Sequence, residues 1–278
     1  MNNIFLIFGY GVPKDILKDE NYNFYLKIVF NKIYDIVTKN NIDNPIIITC
    51  GGKTDMFKPY HRTEADEMIR FFKTFIKERP FLNPVTENWQ FISENKSLST
   101  LENLLNSLDI VQKRDIPEAN FYIFFEQTRE NRIKILAKKI LDKNYNFITI
   151  PIDFDISPKR YLDPKYLLKK ENLDLNHSLW VLQSPENLRK HHKVFKEKIE
   201  YLRTIHNKTD MNIVKEWWDK KLKELEQYGL VYRIEFIEMP PRVEYSLTNA
   251  GKSLLPLLHE LADWGNTHIA KKIIEEFG

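Results

Sequence analysis

Four side chains set the chemical question in this chain. Glu94, Ser97, Thr100 and Asn103 place one carboxylate, two hydroxyls and an amide within ten residues. They follow a short apolar run, Trp89 to Ile92, and open an amphipathic pattern that continues to about Lys113. The run reads as a strand and the pattern as a helix, so the polar groups fall in a strand-to-helix turn. In open α/β sheets such turns hold ligands, because free helix N–H groups and side chains converge there. Glu94 can accept hydrogen bonds from ribose hydroxyls or hold a divalent metal. The hydroxyls of Ser97 and Thr100 can join the free amides in binding a phosphate or carboxylate. Ser99 and Glu102 also fit a capping box, which is helix architecture rather than ligand chemistry.

Other candidates lie at the ends of other apolar runs. Gly9 ends Asn3–Phe8, and Gly51, Gly52 and Lys53 follow Pro45–Cys50. Glycine there lets backbone amides approach an anion or a ribose edge; the plainer reading is a turn. Glu64 is a candidate base or metal ligand if it points inward. Thr128, Arg129 and Arg132 follow the run Phe121–Glu126, and the two arginines, one turn apart, can clamp a phosphate or simply cover a solvated helix face. Cys50 adjoins these residues without an activating base beside it in sequence, which favours a buried, inert thiol. His191 and His192 are not read as a metal pair, since adjacent residues on a helix point in different directions.

The elements that must position these groups follow from periodicity. Continuous apolar runs near 3–8, 45–50, 89–92, 121–126 and 147–151 read as strands buried on both faces. Helical spacing covers about 22–39, 63–78, 99–113 and 129–141. Residues 80–88 and 153–163 read as loops, and Pro185 sits well as the first residue of a helix to about Thr204. The order βαβαβαβαβ predicts an α/β fold: a Rossmann-like, mostly parallel sheet of about five strands with helices on both faces.

Composition sets the outer bounds. The 278 residues are 42% hydrophobic and 29% charged, with a net charge of +3. That suits a soluble globular chain with a real core and gives no global polybasic signature. One cysteine excludes an intramolecular disulfide and a cysteine-based zinc pattern. Neither a signal peptide nor an apolar run of membrane length is apparent, so no membrane partner is expected and the cytoplasm is the default. Asn207 to Asp210 is a polar break, dividing the chain into expected domains 1–206 and 207–278.

Gly51-Gly52, Thr63-Glu64-Ala65, the Glu94, Ser97, Thr100, Asn103 spacing, and Thr128-Arg129 with Arg132 together resemble the SanA/YdcF-like family, a domain of unknown function. The resemblance covers residues 1 to about 205. It implies a Rossmann-like sheet with a pocket at the C-terminal strand ends, and makes S-adenosylmethionine a candidate ligand. Many members carry a His before the last arginine; here the segment runs Glu126-Gln-Thr-Arg-Glu-Asn-Arg132 without one.

Beyond the break, Leu222 to Arg233 reads as a helix end, a glycine cap and a strand. Ile234 to Met239, Pro240-Pro241 and Arg242 to Thr248 complete a two-stranded wing, and Thr248 starts a helix through Trp264. From about 212 to 278 this resembles the C-terminal half of HxlR-type winged-helix regulators, with the preceding helices missing or degenerate. The resemblance implies DNA as a partner, with Lys215, Lys220, Lys221 and Arg242 against phosphates. Trp217 and Trp218 stand where a recognition helix usually carries small polar residues, which suits a packed homodimer interface instead. The main expectation is a small-molecule-binding protein with a nucleotide-like ligand and an open reaction type. The alternative is a ligand-responsive DNA-binding regulator, or a tail used only for dimerisation.

Overall fold

A computed structural model describes residues 1–141, 145–153, 164–204, 220, 222–236 and 242–264. The chain divides into two compact units, Met1–Ile199 and Glu200–Gly278.

The first unit is α/β. Its strands are β1 (Asn2–Phe8), β2 (Ile46–Cys50), β3 (Gln90–Glu94), β4 (Ala119–Glu126) and β5 (Tyr145–Ile152). Its helices are α1 (Glu20–Lys39), α2 (Glu64–Lys77), α3 (Asn83–Thr86), α4 (Thr100–Gln112), α5 (Glu130–Leu141), α6 (Pro164–Val181) and α7 (Pro185–Thr204), the last running across the unit boundary. All five strands pair in parallel, in the order β3-β2-β1-β4-β5. Alternation along β1 divides the core. Ile4, Leu6 and Phe8 pack with Leu101 and Leu104 of α4 and Ile133 and Leu136 of α5. Phe5 and Ile7 pack with Tyr25 and Val29 of α1 and Met68 and Phe72 of α2. Helices thus cover both faces, which is why β1 is apolar at every position from Ile4 to Phe8.

The chain extends the sheet one way through β2 and β3, then returns to add β4 and β5 on the other side of β1. The order reverses between β1 and β4, and the crevice above their C-terminal ends is where sheets of this type bind ligands. The expected loop over 80–88 is instead a 3₁₀ turn, Pro80–Leu82, followed by α3. Pro80 and Pro84 lie at helix starts, where a missing N–H costs nothing. The loop read at 153–163 lies outside the described residues, apart from Asp153.

In the second unit residues 222–227 are helical, β6 (Val231–Phe236) pairs antiparallel with β7 (Arg242–Leu247), and α8 spans Asn249–Trp264. Thr248 caps α8: its hydroxyl donates to Gly229 O at 2.6 Å and accepts from Gly251 N at 2.9 Å. A Cβ on Gly251 would lie 2.0 Å from Leu230 O, so this close approach needs glycine. Residues 213–219 and 221 of the expected helix, and the Pro240-Pro241 turn, lie outside the described residues.

Candidate functional site

The end of β1 is held by tyrosines of α1. Asp19 caps α1 by accepting from Tyr22 N at 2.8 Å, which points Tyr22 into the β1–α1 loop. Tyr22 Oη donates to Gly11 O at 2.7 Å and accepts from Tyr10 N at 3.0 Å, and its ring stacks on Tyr10 with centroids 4.0 Å apart. Tyr25 Oη donates to Phe8 O at 2.8 Å. Burial raises the phenol pKa of both Tyr22 and Tyr25, keeping them neutral donors.

Glu64 is the first residue of α2, behind the N-cap Thr63, and its carboxylate lies over both glycine turns. A Cβ on Gly9 would stand 2.3 Å from Glu64 Oε2, and one on Gly51 2.6 Å from Glu64 Cβ. Gly51 also has φ +139, a conformation side chains rarely adopt. Glu64 Oε1 accepts from Thr54 Oγ1 at 2.5 Å. Burial pushes the Glu64 carboxyl above the usual carboxylate range, against the pull of the Thr54 hydroxyl, the Gly11 N–H and the Arg129 charge. Arg129, from the 3₁₀ turn after β4, donates through Nη1 to Gly9 O at 3.3 Å and so bridges the β1–β4 crevice. Thr128 donates through N (3.0 Å) and through its hydroxyl to the Glu126 carboxylate, shaping the same turn.

The polar groups of the Glu94–Asn103 turn hydrogen-bond largely to one another. Glu94 Oε1 accepts from Lys96 N at 3.0 Å, Ser97 N at 3.1 Å and Asn106 Nδ2 at 3.0 Å, and Oε2 accepts from the Ser97 hydroxyl. Four donors thus meet the Glu94 carboxylate, at 2% exposed, three from the turn and one from Asn106 of α4. Ser97 Oγ also contacts Asn103 Oδ1; one hydroxyl proton cannot serve two acceptors, so the consistent arrangement turns the Asn103 amide to donate. Thr100 is the buried first residue of α4. Gly51 N donates to Glu94 O at 2.9 Å and Gly52 N to Ser97 O at 2.6 Å. Those amides therefore tie β2 to the turn rather than face an anion. The glycines contribute room for Glu64 and close approach to the turn.

The capping box is present in altered form. Ser99 caps α4 and accepts from Glu102 N at 3.2 Å, while Glu102 Oε2 accepts from Leu98 N at 2.6 Å, one residue before the cap. The expected arginine clamp is not formed. Arg132 is buried and pairs with α6, donating through Nε to Glu171 at 2.7 Å with Asp174 at 3.8 Å. Lys53 is exposed at the rim. Cys50 is fully buried beside Ser107 Oγ at 3.2 Å, and burial pushes its thiol pKa up.

Sequence reasoning missed the group that fixes the rim. Asp55, fully buried, takes both Arg62 Nε (3.0 Å) and Nη2 (2.9 Å), while Arg62 Nη1 donates to Pro13 O (3.0 Å) and Lys14 O (3.1 Å). This pair pins the β2–α2 loop to the β1–α1 loop. It also missed Tyr22, whose place on the apolar face of α1 was visible but whose hydroxyl target was not. The histidines of α7, set aside as ligands, pack instead on the start of α4. His191 Nε2 lies 2.8 Å from Ser99 Oγ, its Nδ1 3.0 Å from His177 Nε2, and His192 Nδ1 3.0 Å from Glu102 Oε1. Burial lowers the His191 pKa to about 4 and also lowers that of His177.

Of the proposed phosphate contacts in the second unit, Lys220 is exposed with Nζ 5.3 Å from the Tyr201 ring centre. Arg242 opens β7, and Lys215 and Lys221 lie outside the described residues. Among the described residues no helix is long and apolar enough to cross a membrane.

Comparison with known proteins bears on the C-terminal part. Residues 189–273 match the HxlR-like helix-turn-helix family. An uncharacterized HTH-type transcriptional regulator of Halalkalibacterium halodurans is 58% identical over 45 residues, 16% of this chain and 40% of that protein. One of Methanothermobacter thermautotrophicus is 49% identical over 49 residues, 18% and 37% of the two chains. YkvN of Bacillus subtilis is 42% identical over 64 residues, 23% and 54%. The chain thus spans between 37% and 54% of the length of these relatives. A solved transcriptional regulator of the MarR family from Enterococcus faecalis V583 aligns at 28% identity over 42% of this chain and 97% of its own, with a TM-score of 0.19, too low to argue from. The match begins at 189, inside α7, rather than near 212, so the segment includes a helix that the wing-centred reading left out. Residues 189–273 carry the sequence of an HxlR-like helix-turn-helix domain.

Proposed function

We propose that this protein is a DNA-binding transcription regulator of the HxlR-like type whose α/β unit senses a small molecule. The observation that carries the first half is the match over residues 189–273, supported by the wing β6–β7 and the Thr248 cap that seats α8 behind it. Lys215, Lys220, Lys221 and Arg242 are the phosphate contacts in this reading. Fluorescence anisotropy with a labelled duplex tests it. Affinity should fall steeply with salt, and replacing Lys220, Lys221 and Arg242 by Gln should lower the slope by roughly one per phosphate contact removed. Absence of duplex binding at about 50 mM salt removes the reading.

The sensing half rests on the crevice between β1 and β4, where Glu64 and Arg129 converge above Gly9. Glu64 suits a cationic or hydroxyl-bearing group, and Arg129 an anionic one. Around them stand Gly51, Gly52, Lys53 and Thr128. Glu94, Ser97, Thr100 and Asn103 act by holding the adjoining turn, and Arg132 by anchoring α6. The SanA/YdcF-like resemblance belongs to this half, and S-adenosylmethionine, with cationic and anionic ends, is a ligand to screen first. Exposed Tyr228, Tyr232 and Leu257 in the second unit favour a homodimer, which suits a regulator that reads two half-sites.

A further inference from the structure

Helix α7 belongs to two parts of the protein at once. The α/β unit extends through Ile199, and the HxlR-like match begins at residue 189. The shared stretch carries His191 and His192, whose contacts are with the first turn of α4. His191 is 3% exposed, held between Ser99 Oγ at 2.8 Å and His177 Nε2 of α6 at 3.0 Å. His192 reaches Glu102 Oε1 at 3.0 Å, and the other oxygen of Glu102 accepts from Leu98 N at 2.6 Å. Leu98 and Ser99 lie between Ser97 and Thr100, in the turn that Gly51 and Gly52 tie to the crevice.

We infer that α7 is the element through which the state of the Glu94–Asn103 turn reaches the HxlR-like segment, with Ser99–His191 and Glu102–His192 as the contacts that carry it. A ligand that displaces Ser97 or Gly52 must also move the backbone at Leu98 and Ser99. Both α7 contacts start from that backbone or from the carboxylate bound to it. The Ser99–His191 contact, with the ring buried, is made or lost rather than stretched, so the junction has discrete states that both sides can bias. Because α7 is a continuous helix to Thr204, displacement at residues 191–192 is passed along it rather than absorbed. What is regulated rests on the regulator reading above; the coupling itself is measurable without DNA.

Hydrogen–deuterium exchange on the full chain tests this, comparing wild type with Ser97→Ala and His192→Ala. Coupling between sites is reciprocal, so a change at either end must appear at the other. Exchange should rise roughly fivefold in peptides 95–104, 185–204 and 231–247 in both variants, the size expected for loss of one net hydrogen bond. The β4 peptide 119–126 should keep its wild-type rate. Acceleration confined to 95–104 in Ser97→Ala, or to 185–204 in His192→Ala, overturns the inference. Should Ser97→Ala loosen β4 as well, His192→Ala decides alone, since its ring is half exposed and its loss leaves the core intact. Failure here leaves duplex binding untouched, and failure to bind duplex leaves the exchange result standing.

Discussion

At the scale of single residues, the crevice is organised by Glu64 lying where glycine side chains would be. Gly9→Ala should destabilise the protein by about 1–3 kcal/mol, the usual cost of overpacking, because its methyl meets the Glu64 carboxylate. Most of that cost should vanish in a Glu64→Ala background. Gly51→Ala should stay costly in the same background, since alanine at 64 keeps the Cβ that lies 2.6 Å away and the φ of +139 strains any side chain. Urea unfolding of the five variants, the three single ones and the two doubles, gives the comparison. Equal rescue at both glycines would mean that the Glu64 carboxylate, and neither its Cβ nor backbone strain, dictates Gly51. Glu94 teaches the complementary lesson. Its type and position marked it as a ligand contact, but a carboxylate followed by two amides and a hydroxyl in a tight turn can satisfy itself. Spacing alone does not say which way such a group faces. The pairing of Asp55 with Arg62 was invisible because neither residue lies in a periodic element.

At the scale of elements, the strands and helices were legible because β1, β2 and β4 are each built on a run of apolar residues and three helices start at side-chain caps: Asp19, Thr63 and Ser99. The strand order was not, because a parallel βαβ chain can add its next strand on either side of the first. The docking of α7 on α4 was hidden for a different reason: His191 and Ser99 are 92 positions apart, and two adjacent histidines carry no pattern that names a partner. That docking has a measurable acid limit. Burial depresses the His191 pKa from 6.5 to about 4. Between those values the unfolded chain binds a proton that the folded chain refuses. The contribution is therefore intact above pH 6.5 and is lost as pH falls toward 4, by up to about 3 kcal/mol at 1.36 kcal/mol per unit. His177 acts in the same direction. Glu64, raised by burial, acts in the opposite sense, since its folded form holds a proton more tightly as pH falls. The difference between wild type and His191→Asn isolates the histidine: the urea midpoint should fall more steeply from pH 7 to 4.5 in the wild type. Parallel profiles would show that His191 is not held neutral by the fold.

At the scale of the whole molecule, two boundaries compete. The family match assigns residues from 189 onward to the helix-turn-helix segment, while packing keeps the chain through Ile199 in the α/β unit. They make different predictions for truncation. If α7 is part of the α/β core, a chain ending at residue 204 keeps His191 on Ser99, His192 on Glu102 and Ile199 buried, and melts within about 3 °C of the first transition of the full chain. A chain ending at residue 188 loses all three. With roughly 4 kcal/mol of burial and hydrogen bonding removed, it should melt at least about 8 °C lower, taking some 2 °C per kcal/mol for a domain of this size. Near-equal melting of the two truncations would assign α7 to the C-terminal segment alone and would remove the shared helix on which the coupling depends. A wide gap would mean that the helix opening the matched segment is folded by the α/β unit, so that the two parts cannot be exchanged between proteins at residue 189 without loss.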